Sequence, residues 1–449
     1  MSISSLFALD TIFALASAPG RGGVQVIRIS GPGAGPALSA LMGKPLPSPR
    51  RAALARLRNG ASEVFDQALV LWFPAPGSFT GEDVAELHLH GGRAVLAAAS
   101  EALTALGLRV AEPGEFSRRA FEAGKLDLTE AEAIADLVDA ETAAQRRQAL
   151  RQMDGALGAL YEGWRHRLVR ALAHLEADID FPDEDLPQGV APAVVPVLTG
   201  LIDEIGAHLA DGHRGERLRD GFSIAILGAP NAGKSSLLNA LARREAAIVS
   251  STAGTTRDVI EVHLDLGGFP VILADTAGLR DAADEIEREG IRRALARAEK
   301  ADLKLLVLDC STWNIGDAAA GTLALADGDA LVVLNKRDLC GAVPEAVGGH
   351  PALAVSAATG DGLAELVAAL QAAVEQRLAP GAAPSLTRAR HRQALEECQL
   401  SLRRALAADL PELAAEDARL AARALGRITG RVDVEDLLDV IFRDFCIGK

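Results

Sequence analysis

One stretch limits what this chain can become more than any other: Phe222 to Ser235, FSIAILGAPNAGKS. Phe222 to Leu227 is a short, apolar, β-branched run that predicts a buried strand. It runs straight into Gly228-Ala-Pro-Asn-Ala-Gly-Lys-Ser235, the full G-x-x-x-x-G-K-[ST] phosphate-loop pattern. Ser236 to Ala242, SLLNALA, predicts the helix that follows. Strand, glycine-rich turn and helix start together aim backbone N–H groups at an anion. Lys234 supplies a point charge for β- and γ-phosphates, and the Ser235 hydroxyl suits Mg²⁺. Asn231, Ala232, Gly233 and Ser236 fill out the nucleotide contact.

At 449 residues the chain exceeds one core and predicts about two to four domains. Lys+Arg 46 against Asp+Glu 61 gives a net charge of −15, so the surface as a whole is no footprint for nucleic acid. Any RNA must meet a local patch or come through a partner. Hydrophobic residues make up 49% but aromatics only 4%, which favours Ala/Leu/Val cores and helices. Cys310, Cys340, Cys398 and Cys446 lack metal-ligand spacing and read as free thiols of a reducing cytoplasm. No apolar run reaches the roughly 18 residues a membrane span needs. Ala16-Ser17-Ala18 resembles a signal-peptidase site, but no positive charge precedes it and Asp10 interrupts the apolar run. A strand over Thr11 to Ala16 fits better.

To about residue 120 the pattern is α+β. Strands are expected at 24–29, 67–73 and 84–90, a helix at 93–106, and ordered turns at Phe79–Asp83 and Glu112–Phe116. His88 and His90 share a strand face, with structural roles as the default and a metal pair as the alternative. Thr129-x-x-Glu132 reads as a capping box opening a long helical run. Pro182, Pro187, Pro192 and Pro196 break that run before it resumes at Val197 to Leu209, and helices stop over Gly212 to Gly221. Helices return over 386–408, 411–425 and 434–445. Neither helical block has a self-sufficient core, so one helical domain interrupted by a nucleotide-binding insert of about residues 217–380 is expected.

Inside that insert the motifs follow the order a GTPase requires. A hairpin over 264–274 ends at Asp275-Thr-Ala-Gly278, where Asp275 holds Mg²⁺ through water and Gly278 meets the γ-phosphate, flanked by Thr276 and Ala277. Strands at 303–309 and 330–334 follow, the second ending at Asn335-Lys336-Arg337-Asp338. The Asp338 carboxylate accepts from guanine N1–H and the 2-amino group, whereas adenine would leave it unpaired. Ser356-Ala357 brings a backbone N–H to guanine O6. Ser250 to Asp258, rich in hydroxyls and without apolar periodicity, reads as a switch loop in which Thr256 reaches Mg²⁺. These features together predict a doubly wound GTP-binding domain with its site at the carboxyl ends of the strands.

The whole chain resembles the MnmE (TrmE) family of bacterial and organellar tRNA-modification GTPases. The resemblance is carried by SAPGRGGVQVIRISG (17–31), SFTGEDVAELHLHGG (78–92), PGEFSRRAFEAGKLDL (113–128), GAPNAGKSSLLN, STAGTTRDV, DTAGLR, NKRD and the terminal Cys446-Ile-Gly-Lys449. It implies a multidomain α/β and α chain. An N-terminal α+β folate-binding and dimer-forming domain (1–120) is followed by a discontinuous helical domain (121–216 and 381–449) and an inserted P-loop GTPase domain (217–380). It implies Mg²⁺- and K⁺-dependent GTP hydrolysis in a homodimer. It also implies work with the FAD protein MnmG to add a carboxymethylaminomethyl group at C5 of the wobble uridine of certain tRNAs.

By motif, Arg28, Glu86, Lys125 and Lys449 match positions that contact a 5-formyl-tetrahydrofolate-type cofactor, and Cys446 matches a cysteine assigned to the modification site. Asn231, Ser250, Thr252 and Thr255 offer neutral oxygens for K⁺. Leu279 stands where many GTPases have a water-orienting glutamine, and the resemblance gives that role to Glu287. Where many GTPases have Ser-Ala-Lys, this chain has Ser356-Ala357-Ala358. Two other classes compete. A ribosome-assembly GTPase should carry a second G domain or a basic RNA-binding tail, neither of which follows residue 386. A regulatory switch GTPase without modification chemistry would bind no folate.

Overall fold

The structure, a computed structural model, describes residues 10–180, 190–244, 247–248, 260–275, 299–313, 317–326, 330–341, 343–379, 381, 384–432, 434–443 and 445–448. The chain divides into two compact units, one of Met1–Ala135, Gln152–Leu198 and Leu400–Lys449, the other of Asp136–Arg151 and Thr199–Gln399.

In the first unit six strands form a sheet in the order β3-β4-β5-β2-β1-β6. They are β1 (Ile12–Leu15), β2 (Gly22–Ser30), β3 (Ala53–Arg58), β4 (Val64–Phe73), β5 (Val84–Gly91) and β6 (Arg109–Val110). Strand alternation sends Ile27, Ile29, Leu87 and Leu89 into a core closed by Leu38 and Leu41 of helix Ala34–Met42 and Leu103 of helix Arg93–Ala105. The intervening residues face the other way, and register sets Arg28 directly opposite Glu86. The expected turn at Glu112–Phe116 is instead the entry to a helix, Glu115–Glu122. Gly114, left-handed at φ 68°, turns the chain into it, and Phe116 and Ala120 are buried.

The helical run opens at Leu128–Asp139, but its cap is not Thr129 with Glu132. Asp127 Oδ1 accepts from Glu130 N–H at 2.9 Å, and Glu130 Oε2 accepts from Asp127 N–H at 2.8 Å. The reciprocal box therefore sits two residues earlier, with an aspartate in the hydroxyl's place. Thr129 and Glu132 lie inside the helix and are buried. Helix Ala156–Asp180 packs along helix Pro411–Thr429, whose buried face is a row of alanines at 414, 415, 418, 421 and 424. Small side chains let two helix backbones approach closely. Pro192 and Pro196 do not break the chain as expected: helix Val190–Leu209 runs through both. Pro192 occupies the first turn, where its missing N–H would have no partner anyway. Pro196 forfeits one backbone bond, and the buried row Val194, Leu198, Leu201 and Ile205 holds the helix across it. Pro182 and Pro187 lie outside the described residues.

The second unit is built on an eight-stranded sheet in the order β13-β14-β12-β11-β7-β10-β9-β8. Its strands are β7 (Phe222–Leu227), β8 (Ala247–Ile248), β9 (Ile260–Leu266), β10 (Phe269–Asp275), β11 (Leu303–Asp309), β12 (Ala330–Asn335), β13 (Ala346–Val347) and β14 (His350–Ala354). The pairings β14–β12, β12–β11, β11–β7 and β7–β10 are parallel. Both faces of β7 are buried: Phe222, Ile224 and Ile226 meet Leu237, Leu241, Leu366 and Leu370, while Ala225 and Leu227 meet Leu306, Leu308, Val332 and Leu334. A parallel sheet covered on both sides reads as continuous apolar strands, which is why these runs are legible in sequence. The stretch expected to be free of helix before β7 contains a short one, Arg214–Asp220. No described helix is long and apolar enough to cross a membrane.

Candidate functional site

At the carboxyl end of β7 the chain enters the phosphate loop, and helix Lys234–Arg244 begins at its far side. Asn231 holds a left-handed conformation at φ 64°, and Gly233 one at φ 90°. A side chain at 233 would put its Cβ 2.2 Å from Asn335 Nδ2, so only glycine fits there. Lys234 is buried, and its Nζ donates to the carbonyls of Gly228 at 2.8 Å and Ala229 at 2.9 Å. That fixes the ammonium over the mouth of the loop. Burial pushes its pKa down, and the nearby Asp275 carboxylate partly offsets this. Register places Asp275 beside Ile226, and Ser235 Oγ donates to Asp275 Oδ2 at 2.7 Å. A hydroxyl and a carboxylate held together at the loop are the hard oxygen donors that a divalent cation takes.

The neighbouring strand ends build a second loop. Lys336, left-handed at φ 64°, turns the chain out of β12, and its Nζ meets Asp309 Oδ2 at the end of β11 at 2.6 Å. Burial would raise the Asp309 pKa, but Lys336 and Ser311 outweigh it and hold the carboxyl below its ordinary range. Asp338 Oδ1 accepts from the buried Ser356 hydroxyl at 2.6 Å, which orients the carboxylate. Asn335 has another role than sequence alone could give it. Only 2% exposed, it donates from Nδ2 to Ala232 O at 2.9 Å and accepts on Oδ1 from Ala357 N–H at 3.1 Å. It is a strut between the phosphate loop and the two base-side loops. Asp309 carries no motif of its own, and the Asn-Lys-x-Asp pattern that Asn335 opens does not spell out its bonds to Ala232 and Ala357.

The structure thus brings together Asn231, Ala232, Gly233, Lys234, Ser235, Ser236, Asp275, Asn335, Lys336, Asp338, Ser356 and Ala357 at adjacent strand ends of one sheet. Ser250, Thr252, Thr255, Thr256, Thr276, Ala277, Gly278, Glu287 and Lys449 lie outside the described residues.

In the first unit Arg28, Glu86 and Lys125 line one cavity of about 390 Å³. Arg28 Nη2 is 3.1 Å from Glu86 Oε1, and its guanidinium lies 5.3 Å from the Phe79 ring centroid. Glu86 is also 3.5 Å from His88, and His90 pairs with Asp66 at 2.7 Å. Among the described residues no group of three or more His, Cys, Asp or Glu side chains is placed to hold a metal ion. Beneath this face Arg119, 6% exposed, meets Asp10 at 2.6 Å, Glu115 at 2.9 Å and Glu82 at 3.2 Å. Burial alone would raise the pKa of Asp10 and Glu115. Hydrogen bonds from Arg109 and Arg119 reverse this and hold both carboxyls low.

The last described residues return to this domain. Ile447 bridges to Pro113, and Gly448, at φ 98°, lies so close to Leu15 that a Cβ would stand 2.2 Å from its carbonyl oxygen. Cys446 is exposed, and its carbonyl faces Gly114 N–H at 3.5 Å. Leu15 is on β1, whose neighbour β2 carries Arg28.

Two family models match the sequence: "GTP-binding protein TrmE N-terminus" over residues 11–125 and "MnmE helical domain" over residues 128–446. A protein of Paramagnetospirillum magneticum named tRNA modification GTPase MnmE is 66% identical over 441 residues, covering 98% of this chain and 100% of its own. Namesakes from Parvibaculum lavamentivorans and Rhodospirillum rubrum are each 60% identical, again over 98% of this chain and 100% of their own. With its phosphate loop and base-side loops joined on one sheet and its relatives matched from end to end, the chain belongs to the MnmE family of tRNA modification GTPases.

Proposed function

We propose that the chain hydrolyses GTP to drive modification of the wobble uridine of certain tRNAs. In this reading it acts as a homodimer with the FAD protein MnmG and adds a carboxymethylaminomethyl group at C5. The observation that carries the reading is the linkage of Lys234, Asp275, Asn335 and Asp338 at adjacent strand ends, in a chain of this family. Lys234 binds the β- and γ-phosphates. The Asp338 carboxylate, oriented by Ser356, pairs with the guanine N–H edge. Ser235, with Thr256 from the switch loop, would hold Mg²⁺, which neutralises phosphate charge. Asn231 would join Ser250, Thr252 and Thr255 around K⁺, and Glu287 would position the attacking water.

The first-unit cavity is the proposed folate site. Its paired Arg28 and Glu86 suit the N–H and carbonyl edge of a pterin, and the cation of Lys125 suits a carboxylate. Lys449 and Cys446 would close the site from the tail. The G domain is proposed to span residues 217–380, inserted in a helical domain of 121–216 and 381–449.

The test is mass spectrometry of wobble uridine after incubating chain, MnmG, tRNA, GTP, a one-carbon folate and an amine donor. Modification should occur with the native chain and vanish with Lys234→Ala. GTP turnover should also be faster in KCl than in NaCl at equal ionic strength. Modification that persists in Lys234→Ala would refute the coupling of hydrolysis to chemistry.

A further inference from the structure

The cavity beside Arg28 is electrically lopsided. Within its lining Arg28 is matched by Glu86 at 3.1 Å, so that pair offers donor and acceptor without net charge. The same lining holds two exposed cations, Arg50 and Lys125. Lys125 Nζ donates to Pro76 O at 2.7 Å, and Arg50 Nη2 donates to Gly77 O. Carbonyl acceptors hold a cation in place but do not cancel its charge. Among the described residues neither cation forms an ion pair with a carboxylate. The Arg50 guanidinium also lies 5.8 Å from the Phe73 ring centroid, which steadies its plane at the cavity wall. Residue 50 itself sits in the left-handed region at φ 59°, so the backbone there is committed to one geometry.

We propose that Arg50, with Lys125, anchors the ionised carboxylates of a folate's glutamate tail and makes the cavity select glutamyl folates over the same ring system without that tail. This rests on the folate reading above. The ligand carries the same two chemistries as the lining: an uncharged pterin edge for the Arg28–Glu86 pair and an anionic tail for Arg50 and Lys125. The opposite orientation would set carboxylates against Glu86 and leave Arg50 and Lys125 without a counter-charge. A guanidinium takes a carboxylate through two parallel N–H bonds, which an ammonium cannot do, so Arg50 contributes geometry as well as charge.

The experiment measures equilibrium binding of 5-formyl-tetrahydrofolate and of a des-glutamyl analogue, the N-methylamide of 5-formyl-tetrahydropteroate, which keeps the rings and the amide but has no carboxylate, to the full chain and to Arg50→Gln and Arg50→Lys. The native chain should prefer the glutamyl form. Arg50→Gln should weaken that form by about 10-fold or more, the worth of a charge-assisted pair, and leave the analogue nearly unchanged. Arg50→Lys should retain part of the preference. Equal loss for both ligands, no loss for either, or the same effect from Lys as from Gln would overturn the role of Arg50. A native chain that binds both forms equally would overturn tail recognition while leaving the folate site standing. A native chain that binds neither would overturn the folate reading itself.

Discussion

Replacing Asn335 by alanine separates a base-reading residue from a strut. The substitution removes a donor to Ala232 O and an acceptor for Ala357 N–H, at 2.9 and 3.1 Å. Ala232 is 2% exposed, so its carbonyl is left buried and unpaired, whereas Ala357 is only partly buried and water reaches its N–H. An orphaned buried group costs about 1–3 kcal/mol and a rehydrated one less, giving about 2–4 kcal/mol for the pair. That energy holds the phosphate loop in register with the base-side loops, so its loss should weaken nucleotide binding by about 10-fold or more. The discriminating measurement is affinity for GTP, ITP and XTP in the same variant. A strut feels none of the differences between those bases, so all three affinities should fall by one common factor. A loss confined to GTP would mean that Asn335 reads guanine itself and that the internal bonds are incidental.

Asp338→Asn should weaken GTP by an amount set by the lost charged pair, about 1.5–3 kcal/mol, and shift preference toward XTP; unchanged GTP affinity would mean the guanine pocket has been misplaced. Deleting Cys446–Lys449 should abolish tRNA modification and leave GTP hydrolysis nearly intact, as read by nucleoside mass spectrometry beside phosphate release. Asp10 and Glu115 are held below their ordinary values of 3.8 and 4.5. Depressed carboxyls stabilise the folded state above their unfolded pKa and lose that contribution as pH falls through the folded one. Thermal unfolding of the N-terminal domain should therefore be flat from pH 7 to about 5 and drop steeply below about pH 4. Arg119→Met should flatten that acid limb.

The parts of the molecule written as local pattern were legible in the sequence. Parallel strands buried on both faces, such as Leu303–Asp309, are continuous apolar runs, and the phosphate loop has its own spelling. What escaped was set by partners distant in the chain. Helix Glu115–Glu122 reads as charged and turn-like because its buried arginine is matched by Asp10 and Glu82, far off in sequence. The cap at Asp127 was displaced by an equally plausible Thr129, and the two differ only in which side chain reaches a backbone N–H. Pro196 reads as a breaker because sequence shows the lost hydrogen bond and not the apolar row that holds the helix. Arg50 lies in a proline-rich loop with no motif, and only the fold brings it to Lys125.

The contact of Gly448 with Leu15 joins positions some 430 residues apart. At a synthesis rate of about 5–20 residues per second, roughly 20–90 s separate the emergence of the two. Throughout that interval the N-terminal domain must stand with β1 finished and its closing tail still unmade. A message cut short late in translation would thus yield a chain whose phosphate loop is whole and whose tail is missing. On the proposed role of the tail, such a chain is expected to bind and turn over GTP with nothing delivered to tRNA, a nucleotide-consuming bystander rather than a weak enzyme.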